Sequence, residues 1–334
     1  MERPVLLVTH PACFAHDTGV GHPESRDRLV GILDAVRADP ALGREVLFQT
    51  EGQPVEAGDL LLAHAPAHVA LVRQMSERAA EHGTIDWIDP DTAVSGASFL
   101  AASAAAGCAV TAAELVATGH ASAAFALSRP PGHHAGYARS AGFCLFNNVV
   151  VAARWLQAFG LAGQVLIVDW DVHHGDGTQE ILWEDPTTRY LSLHLSPHYP
   201  GTGAEAERGG GPAVGGVRNV PLPAGTGAAE YRRRFSEALG ASLDGFAPDF
   251  VLVSGGFDCL AGDPLGGFLL EPEDLHALTR ELVERTRPSA GGRVVTVLEG
   301  GYVPGRVGQG AVNVLRALAG LPAGTARDAH APQL

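Results

Sequence analysis

Short, almost wholly apolar runs alternate along the chain with longer stretches whose apolar residues recur every three or four positions. The short runs are typical of buried strands, and the longer period is typical of amphipathic helices. We predict strands in the segments PVLLVTH from Pro4, EVLFQT from Glu45, SAAFALS from Ser122, QVLIVDWD from Gln164, RYLSLH from Arg189, DFVLVSGG from Asp249 and RVVTVLEGG from Arg293. We predict helices near 24–38, 66–82, 98–118, 147–159, 228–244, 272–287 and 306–319.

The alternation of strands and helices predicts a mostly parallel central β-sheet with helices on both faces. No break in composition marks a second domain. We therefore expect an α/β fold with a single domain over residues 1–320, followed by a flexible C-terminal tail over 321–334. The glycine-rich stretch PGTGAEAERGGGPAVGG from Pro200 predicts a loop.

Composition narrows the class of protein. Of the 334 residues, 46% are hydrophobic and 18% are charged, which is a globular composition, and the formal net charge of −14 argues against an unaided nucleic-acid binder. The four cysteines are scattered and form no C-x-x-C pair, so we expect a reducing, cytoplasmic location: Cys13, Cys108, Cys144 and Cys259.

One uncharged segment is long enough to cross a membrane. Residues 92–113 carry no charge, but they are mostly Ala, Ser and Gly, so a buried helix is the better interpretation and we expect no membrane partner. The N-terminal MERPVLLVTH is too short and too polar for a signal peptide.

Four predicted strands are followed directly by segments rich in glycine and in residues that can bind metals or transfer protons. SAAFALS is followed by RPPGHHAGY, QVLIV by DWDVHHGDG, DFVLV by SGGFDCLAGDP, and RVVTV by LEGGY. Because the carboxyl ends of parallel strands meet at one edge of a sheet, we expect these four segments to converge on a single site.

The segment DWDVHHGDG suggests a metal site. Side chains alternate along a strand, so Asp169, Asp171 and His173 point to the same side. A catalytic zinc needs about three protein ligands. Asp171 and His173 are two good candidates, and Asp258 in GGFD is the best-placed third. A single D-x-H is more often a polar loop start, a salt bridge or a cap, so the inference depends on the combination.

The tandem histidines and a tyrosine suggest the remaining chemistry. His133 and His134 follow a rigid Pro-Pro-Gly turn and are suited to acid and base work if Asp169 or Asp176 orients them. The hydroxyl of Tyr302 is suited to hydrogen-bond an oxyanion. Taken singly, these features are more often a surface turn and simple packing.

Together, the segments RPPGHHAG, GFCLFNN, VDWDVHHGDGTQ, SLHLSPHYPGTG, SGGFDCLAGDPLGG and LEGGY resemble the zinc-dependent histone deacetylase family. HPESRDRL resembles its class II branch, which includes bacterial histone deacetylase-like amidohydrolases. The resemblance runs from about His22 to Tyr302. It implies an arginase/deacetylase fold and hydrolysis of an N-acyl-lysine-type amide.

The resemblance also implies residue roles. One catalytic Zn²⁺ per chain, or Fe²⁺ in its place, would be bound by three ligands: Asp171, His173 and Asp258. His134 would be the general base and then the general acid, His133 its electrostatic partner, and Tyr302 the group that polarises the acyl oxygen. Asp169 and Asp176 would lie behind His133 and His134, respectively.

Further residues follow from the same resemblance. A structural K⁺ would be bound by Asp169 and Ser192 with the carbonyls of Asp171, His173 and Leu193. In the substrate channel, the Gly142 carbonyl would accept the substrate amide proton, Phe143 and Tyr199 would form the walls, and Asp91 would lie at the rim. Arg28 would lie near the inner end, where acetate departs.

Two departures from related families discriminate among activities. Arginases bind two Mn²⁺ ions with extra carboxylates, but the corresponding positions are Gly175 and Leu260. Polyamine deacetylases often carry an acidic gatekeeper where this chain has Leu265 in GDPLGG, which favours acyl-lysine substrates.

Three functions therefore stay open. The first is a deacylase acting on acyl-lysine or a similar N-acyl amine, the second is an acetylpolyamine amidohydrolase, and the third is a catalytically silent acyl-lysine-binding protein. The sequence does not set the oligomeric state, and a homodimer or homotetramer is compatible with it.

Overall fold

The computed structural model describes residues 3–43 and 47–324. Its strands, in chain order, are β1 (Val5–Thr9), β2 (Leu47–Glu51), β3 (Asp86–Trp87), β4 (Ala93–Val94), β5 (Ala123–Ala126), β6 (Val165–Asp169), β7 (Thr188–Leu195), β8 (Val217–Leu222), β9 (Phe250–Gly255) and β10 (Val294–Leu298). Strands β3 and β4 form a short antiparallel pair, and the other eight form one parallel sheet.

Helices cover both faces of the sheet. They are α1 (Asp27–Ala38), α2 (Ala57–Leu60), α3 (Pro66–His82), α4 (Ser98–Ala117), α5 (Asn148–Ala158), α6 (Asp176–Leu182), α7 (Ala228–Leu243), α8 (Pro272–Ala290) and α9 (Pro304–Leu318). On one side, α9 packs between α1 and α8, and α8 also packs against α7. On the other side, α4 packs between α3 and α5. The predicted α/β class, with a parallel sheet between two helical layers, is confirmed.

The order of the strands explains where a site can form. The order across the sheet is β2-β1-β5-β10-β9-β6-β7-β8. The four strands predicted to end in unusual chemistry, β5, β10, β9 and β6, are consecutive neighbours at the centre of the sheet. Their carboxyl ends therefore open onto one shared cleft, as expected for parallel strands.

All seven predicted strands and all seven predicted helices are present, but three strands (β3, β4 and β8) and two helices (α2 and α6) were missed. Strand β8, VRNVPL, contains a proline and two polar residues, which a strand tolerates because it lies at the edge of the sheet. Helix α6 begins inside the charged segment DWDVHHGDG. Most of its first residues are polar, so it shows no helical period of apolar residues. Glu45 and Val46 of the second predicted strand lie outside the described residues.

Both ends of helix α8 carry capping residues that are typical of helix termini. Pro272 occupies the first turn, Glu271 and Asp274 form a capping box, and Gly291 ends the helix in the left-handed conformation. The helix runs three residues beyond the predicted end, to Ala290, although Pro288 lies in its last turn. The Gly291 N–H donates to the Arg287 carbonyl at 2.9 Å, and this bond closes the terminus.

The uncharged segment forms a core helix. Helix α4 has 20 residues with a mean hydropathy of 1.7, and 72% of its apolar window is buried inside the protein. It packs against β1, β5 and β10. Its alanines permit this close approach, so its apolar character belongs to the core of the domain.

Residues 321–324 have no regular secondary structure, but they contact the domain. The Leu321 carbonyl accepts a hydrogen bond from His276 at 2.8 Å, and the Gly324 N–H donates to Asn313 at 3.0 Å. The rest of the predicted tail, 325–334, lies outside the described residues.

Candidate active site

Three residues from two central strand ends form a compact cluster of metal-ligating groups. Asp171 and His173 follow β6, and Asp258 follows β9. One ligand atom from each lies within 4.8 Å of the others, and all three residues are buried. The His173 Nδ1 is 3.0 Å from Asp171 Oδ1 and 3.4 Å from Asp258 Oδ2. The structure therefore brings together the three ligands predicted from sequence.

The charges of this cluster fit a cation. Asp258 Oδ1 accepts the Val172 N–H at 2.9 Å, but its Oδ2 is buried without a hydrogen-bond partner. Burial and the Asp171 carboxylate raise the pKa of Asp258 to about 7. Burial alone would lower the pKa of His173, but the two carboxylates raise it to about 10. A divalent ion among these atoms would relieve the repulsion and satisfy Oδ2, and the Asp₂His donor set suits Zn²⁺ or Fe²⁺.

Glycine is required beside the cluster. The Gly300 N–H donates to Asp171 Oδ2 at 2.8 Å. A Cβ at position 300 would overlap both Asp258 Oδ2 and Asp171 Oδ2. The backbone of the LEGGY segment thus approaches the carboxylates closely enough to orient one of them, which only glycine allows.

The tandem histidines lie beside this cluster, and each is oriented by a carboxylate. His133 Nδ1 is 3.1 Å from Asp169 Oδ2, and His134 Nδ1 is 2.7 Å from Asp176 Oδ1. His133 Nε2 lies 3.7 Å from Asp171 Oδ1. If each Nδ1 is protonated and donates a hydrogen bond to its carboxylate, the Nε2 of His134 is unprotonated and can accept a proton.

The two histidines have opposite charge preferences. Burial and the neighbouring charge on His133 lower the pKa of His134 to about 3. Burial acts in the same direction on His133, but Asp171 and Asp169 outweigh it and raise the pKa of His133 well above its usual value. These opposite shifts favour one neutral and one cationic imidazole side by side, the arrangement that separates a base from an electrostatic partner.

Arg139, which sequence reasoning missed, fixes the carboxylate behind His134. Its guanidinium donates to Asp176 Oδ2 at 2.7 Å and to the His134 carbonyl at 3.2 Å. Burial raises the pKa of Asp176, but His134 and Arg139 together lower it to about 2. Asp176 therefore remains an anion throughout the working pH range and keeps the His134 tautomer fixed.

The predicted channel residues Gly142, Phe143 and Asp91 lie together. The Gly142 N–H donates to Asp91 Oδ1 at 3.2 Å, and a Cβ on Gly142 would overlap the His134 ring. Gly142 and Phe143 have φ of +55° and +68°, respectively, and this strained turn directs the Phe143 ring toward Tyr302 at 5.9 Å. The half-buried Asp91 is thus coupled to the backbone of the channel wall.

Tyr199 and Leu265 approach the cluster from another side. The Tyr199 ring lies 5.1 Å from the His134 ring, and 41% of the residue is exposed. His198, which was not predicted, stacks on His173 at 5.1 Å and is hydrogen-bonded to the Leu265 carbonyl at 2.9 Å. Leu265 is therefore tied to a metal-ligand candidate through one imidazole.

Tyr302 and Arg28 lie at the inner side. The Arg28 guanidinium is 5.2 Å from the Tyr302 ring, donates to the Gly301 carbonyl at 2.6 Å and pairs with Glu24 at 3.0 Å. Burial raises the pKa of Tyr302 well above its usual value, with a further contribution from the negative charge of Asp258. The Tyr302 hydroxyl therefore keeps its proton and is available as a hydrogen-bond donor.

The sequence profile of the histone deacetylase domain matches residues 22–318, which is most of the chain. The chain belongs to the histone deacetylase family. This membership makes the protein a hydrolase of the deacetylase class.

Known proteins are similar over nearly the whole chain. The probable deacetylase of Archaeoglobus fulgidus is 35% identical over 96% of this chain and 88% of its own length. Histone deacetylase 10, chloroplastic, of Oryza sativa subsp. japonica is 34% identical over 98% of this chain and 75% of its own. The crystal structure of the HDA15 HD domain superposes with a TM-score of 0.88 at 34% identity, covering 98% of this chain and 91% of that domain.

The residues predicted to bind K⁺ in this deacetylase-family chain lie on adjacent strands. Asp169 on β6 is paired in register with Ser192 on β7, and Leu193 follows. His194 Nε2 is 3.0 Å from the Gly203 carbonyl, so its Nδ1 accepts the Ser192 hydroxyl at 2.9 Å.

A second catalytic metal lacks ligands. The positions that would need carboxylates are Gly175, whose Cβ would overlap Tyr190 and Asp169, and Leu260, which is buried. Within residues 3–43 and 47–324, the cluster of Asp171, His173 and Asp258 is the only compact group of three ligand side chains.

Glu299 is a further site residue that sequence reasoning missed. It is fully buried after β10, and its Oε2 accepts the Gly132 N–H at 2.6 Å and the His133 N–H at 3.1 Å. Its Oε1 accepts the Ser254 hydroxyl at 3.1 Å. One carboxylate therefore fastens the tandem-histidine turn to the centre of the sheet. The sequence signal that could have identified Glu299 is its position directly before the GGY segment.

Replacing Glu299 separates its charge from its role as an acceptor. Glu299→Leu removes the acceptor and should reduce the free energy of unfolding by about 2–6 kcal/mol, because two buried N–H groups lose their partner at about 1–3 kcal/mol each. Glu299→Gln keeps an acceptor oxygen and should cost clearly less. Denaturant unfolding and kcat of both variants test this, and equal losses in the two would contradict it.

Proposed function

We propose that this protein is a zinc-dependent amidohydrolase that removes an acyl group, typically acetyl, from N-acyl-lysine or a similar N-acyl amine. One observation carries the proposal: the buried cluster of Asp171, His173 and Asp258 lies beside two histidines whose Nδ1 atoms are bound by carboxylates. Membership of the histone deacetylase family supports the reaction class. A Zn²⁺ ion held there would supply Lewis acidity toward water and the acyl oxygen.

The chain's own residues would perform the proton chemistry. His134 Nε2 takes a proton as the water oxygen bonds to the acyl carbon, and it then protonates the departing amine as the C–N bond breaks. The cationic His133 and the Tyr302 hydroxyl stabilise the negative charge that builds on the acyl oxygen. The Gly142 carbonyl accepts the amide N–H, Phe143 and Tyr199 enclose the alkyl chain, and the products are a carboxylate and a free amine.

The substrate proposal favours acyl-lysine over acetylated polyamines. A polyamine presents a second, distant ammonium, and an apolar Leu265 offers it no counter-charge. Purified, metal-loaded protein should therefore give a higher kcat/KM with an acetyl-lysine peptide than with acetylputrescine. A large preference for acetylputrescine would favour the polyamine alternative.

A gate substitution should move this selectivity. Leu265→Glu should raise the ratio of kcat/KM for acetylputrescine to that for the peptide by about tenfold, because one charge-assisted contact is worth about 1.5–3 kcal/mol when buried and less when half-exposed. Leu269→Glu, four residues away at an exposed position, is the matched control. An unchanged ratio in Leu265→Glu would remove residue 265 from the determinants of selectivity.

A silent binding protein is the remaining alternative. It predicts tight binding of acyl-lysine by the zinc-loaded protein with no hydrolysis across a broad panel of acyl groups. We favour the enzyme because the ligand cluster, both histidines and the tyrosine are all in place.

We also propose a structural K⁺ bound by Asp169 and Ser192 with the carbonyls of Asp171, His173 and Leu193. A cytoplasmic location is supported by the free, buried state of all four cysteines. A homodimer and a homotetramer are both compatible with the proposed function.

A further inference from the structure

A separate pocket lies at the edge of the sheet, between strand β8, helix α7 and the loop at 205–208. Its volume is about 270 Å³. Its polar lining includes three arginines, two glutamates and an asparagine, and we call it the arginine pocket: Arg208, Arg218, Arg234, Glu205, Glu237 and Asn219. None of these residues belongs to the candidate active site.

Each arginine is carried by a fixed part of the backbone. Arg218 lies in β8, in register with Leu191 of β7. Arg234 lies on the face of α7 that turns toward the pocket. The Arg208 carbonyl accepts the Gly215 N–H at 2.7 Å, which anchors the loop beside β8. Three arginines thus line one cavity from three separate parts of the backbone.

In the part of the chain that the structure describes, the three arginines of the arginine pocket are not paired with carboxylates in salt bridges. Among the described residues, Arg208, Arg218 and Arg234 form no ion pair, and Glu237 is engaged by Arg233 at 2.6 Å. Glu205 is the remaining carboxylate. Burial and the charge of Arg208 lower the pKa of Arg218, and the opposing charge of Glu205 does not outweigh them. The cluster stands out in a chain whose net charge is −14.

Two buried polar atoms in the lining also lack partners. Arg218 Nε has no acceptor, although Nη2 of the same residue donates to the Ala241 carbonyl at 3.4 Å. Asn219 is only 2% exposed and its Oδ1 has no donor, but its side chain lies on the opposite face of β8, where its amide donates to Gln179 Oε1 at 2.7 Å. The unused Arg218 Nε donor among three arginines points to a missing polar ligand, since buried donors are normally satisfied.

We propose that the arginine pocket binds a small oxyanion of the phosphate class. A tetrahedral anion presents oxygens in several directions at once, which suits three guanidiniums converging from separate elements better than a planar carboxylate does. The volume of about 270 Å³ accommodates a phosphate or a small phosphate ester. The proposal is independent of the proposed deacylase function.

Titration calorimetry on the metal-loaded protein tests the pocket. Inorganic phosphate and glycerol 3-phosphate are titrated at constant ionic strength, with citrate as the carboxylate comparison. We expect saturable binding of a phosphate-class anion at one site per chain. Binding of both phosphates marks a site for the phosphate group itself, and binding of the ester alone marks a site for phosphorylated small molecules. Preferential binding of citrate, or no saturable binding, would overturn the proposal.

Substitutions locate the site. Arg218→Gln and Arg234→Gln should each weaken phosphate binding by about tenfold or more, because each removes a charge-assisted contact. Arg232→Gln removes the same charge from the exposed side of α7 and should leave binding unchanged. Binding that persists in Arg218→Gln and Arg234→Gln would place the anion elsewhere, for example at the metal site. Deacylation by the Arg232→Gln protein serves as a check on folding.

Discussion

Removal of the bound metal by a chelator is expected to reduce acetate release to below about 1% of the starting rate, and Zn²⁺ should restore it. Without a cation the site retains its histidines but loses several kcal/mol of transition-state stabilisation. The unpartnered Asp258 Oδ2 and the raised pKa of Asp258, caused by burial and by Asp171, indicate how strongly the apo cluster needs positive charge. Metal content measured alongside the rate ties the loss to the ion.

Asp258→Asn should reproduce this loss without a chelator. The variant should contain little metal after purification and should show no rise in Tm on adding Zn²⁺, because stabilisation by a ligand requires binding to the folded state. Asp244→Asn, at an exposed position outside the site, is the isosteric control and should behave like wild type. Reconstitution with Fe²⁺ under anaerobic conditions compares the two candidate metals. Undiminished turnover by metal-free protein would overturn the metal-dependent mechanism.

His134→Ala is expected to reduce kcat by about 10²–10⁴-fold, the usual contribution of a positioned acid or base. His134 is the suited residue because burial and His133 keep it neutral, while Asp176 at 2.7 Å leaves its Nε2 free to accept a proton. Metal content should be unchanged, since His134 is not one of the clustered ligands.

The comparison with Asp176→Asn makes this prediction specific. An asparagine at 176 can no longer enforce the His134 tautomer, so it should lower kcat less than His134→Ala but leave metal content intact. His82→Ala, at an exposed position in the last turn of α3, controls for the loss of an imidazole. A wild-type rate in His134→Ala would show that another group takes the proton.

The sequence was sufficient to locate the site because the central strands are continuous apolar runs. A run such as QVLIV is unambiguous as a buried strand, so the charged residues that follow it stand out as the end of that strand. The parallel arrangement then brings distant segments together without knowledge of the strand order. For the same reason the Asp171, His173 and Asp258 cluster could be predicted before any contact was known.

The residues that were missed act over distances that a local pattern does not encode. Glu299 contacts the His133 turn 166 positions earlier in the chain, and Arg139 contacts Asp176 37 positions later. Each is a single polar residue whose partner depends on the order of the strands in the sheet. Strand β8 was missed because its packing on one side alone permits the proline and the polar residues that a central strand would exclude.

The position of β10 has a consequence for biosynthesis. It is the last strand to be synthesised, yet it lies between β5 and β9 in the middle of the sheet. A nascent chain that has not yet emerged through residue 298 has two unpaired interior strands and an open seam through its future catalytic cleft. The domain can therefore complete its core only after β10 has emerged, and until then the exposed strand edges favour self-association and make chaperone capture advantageous.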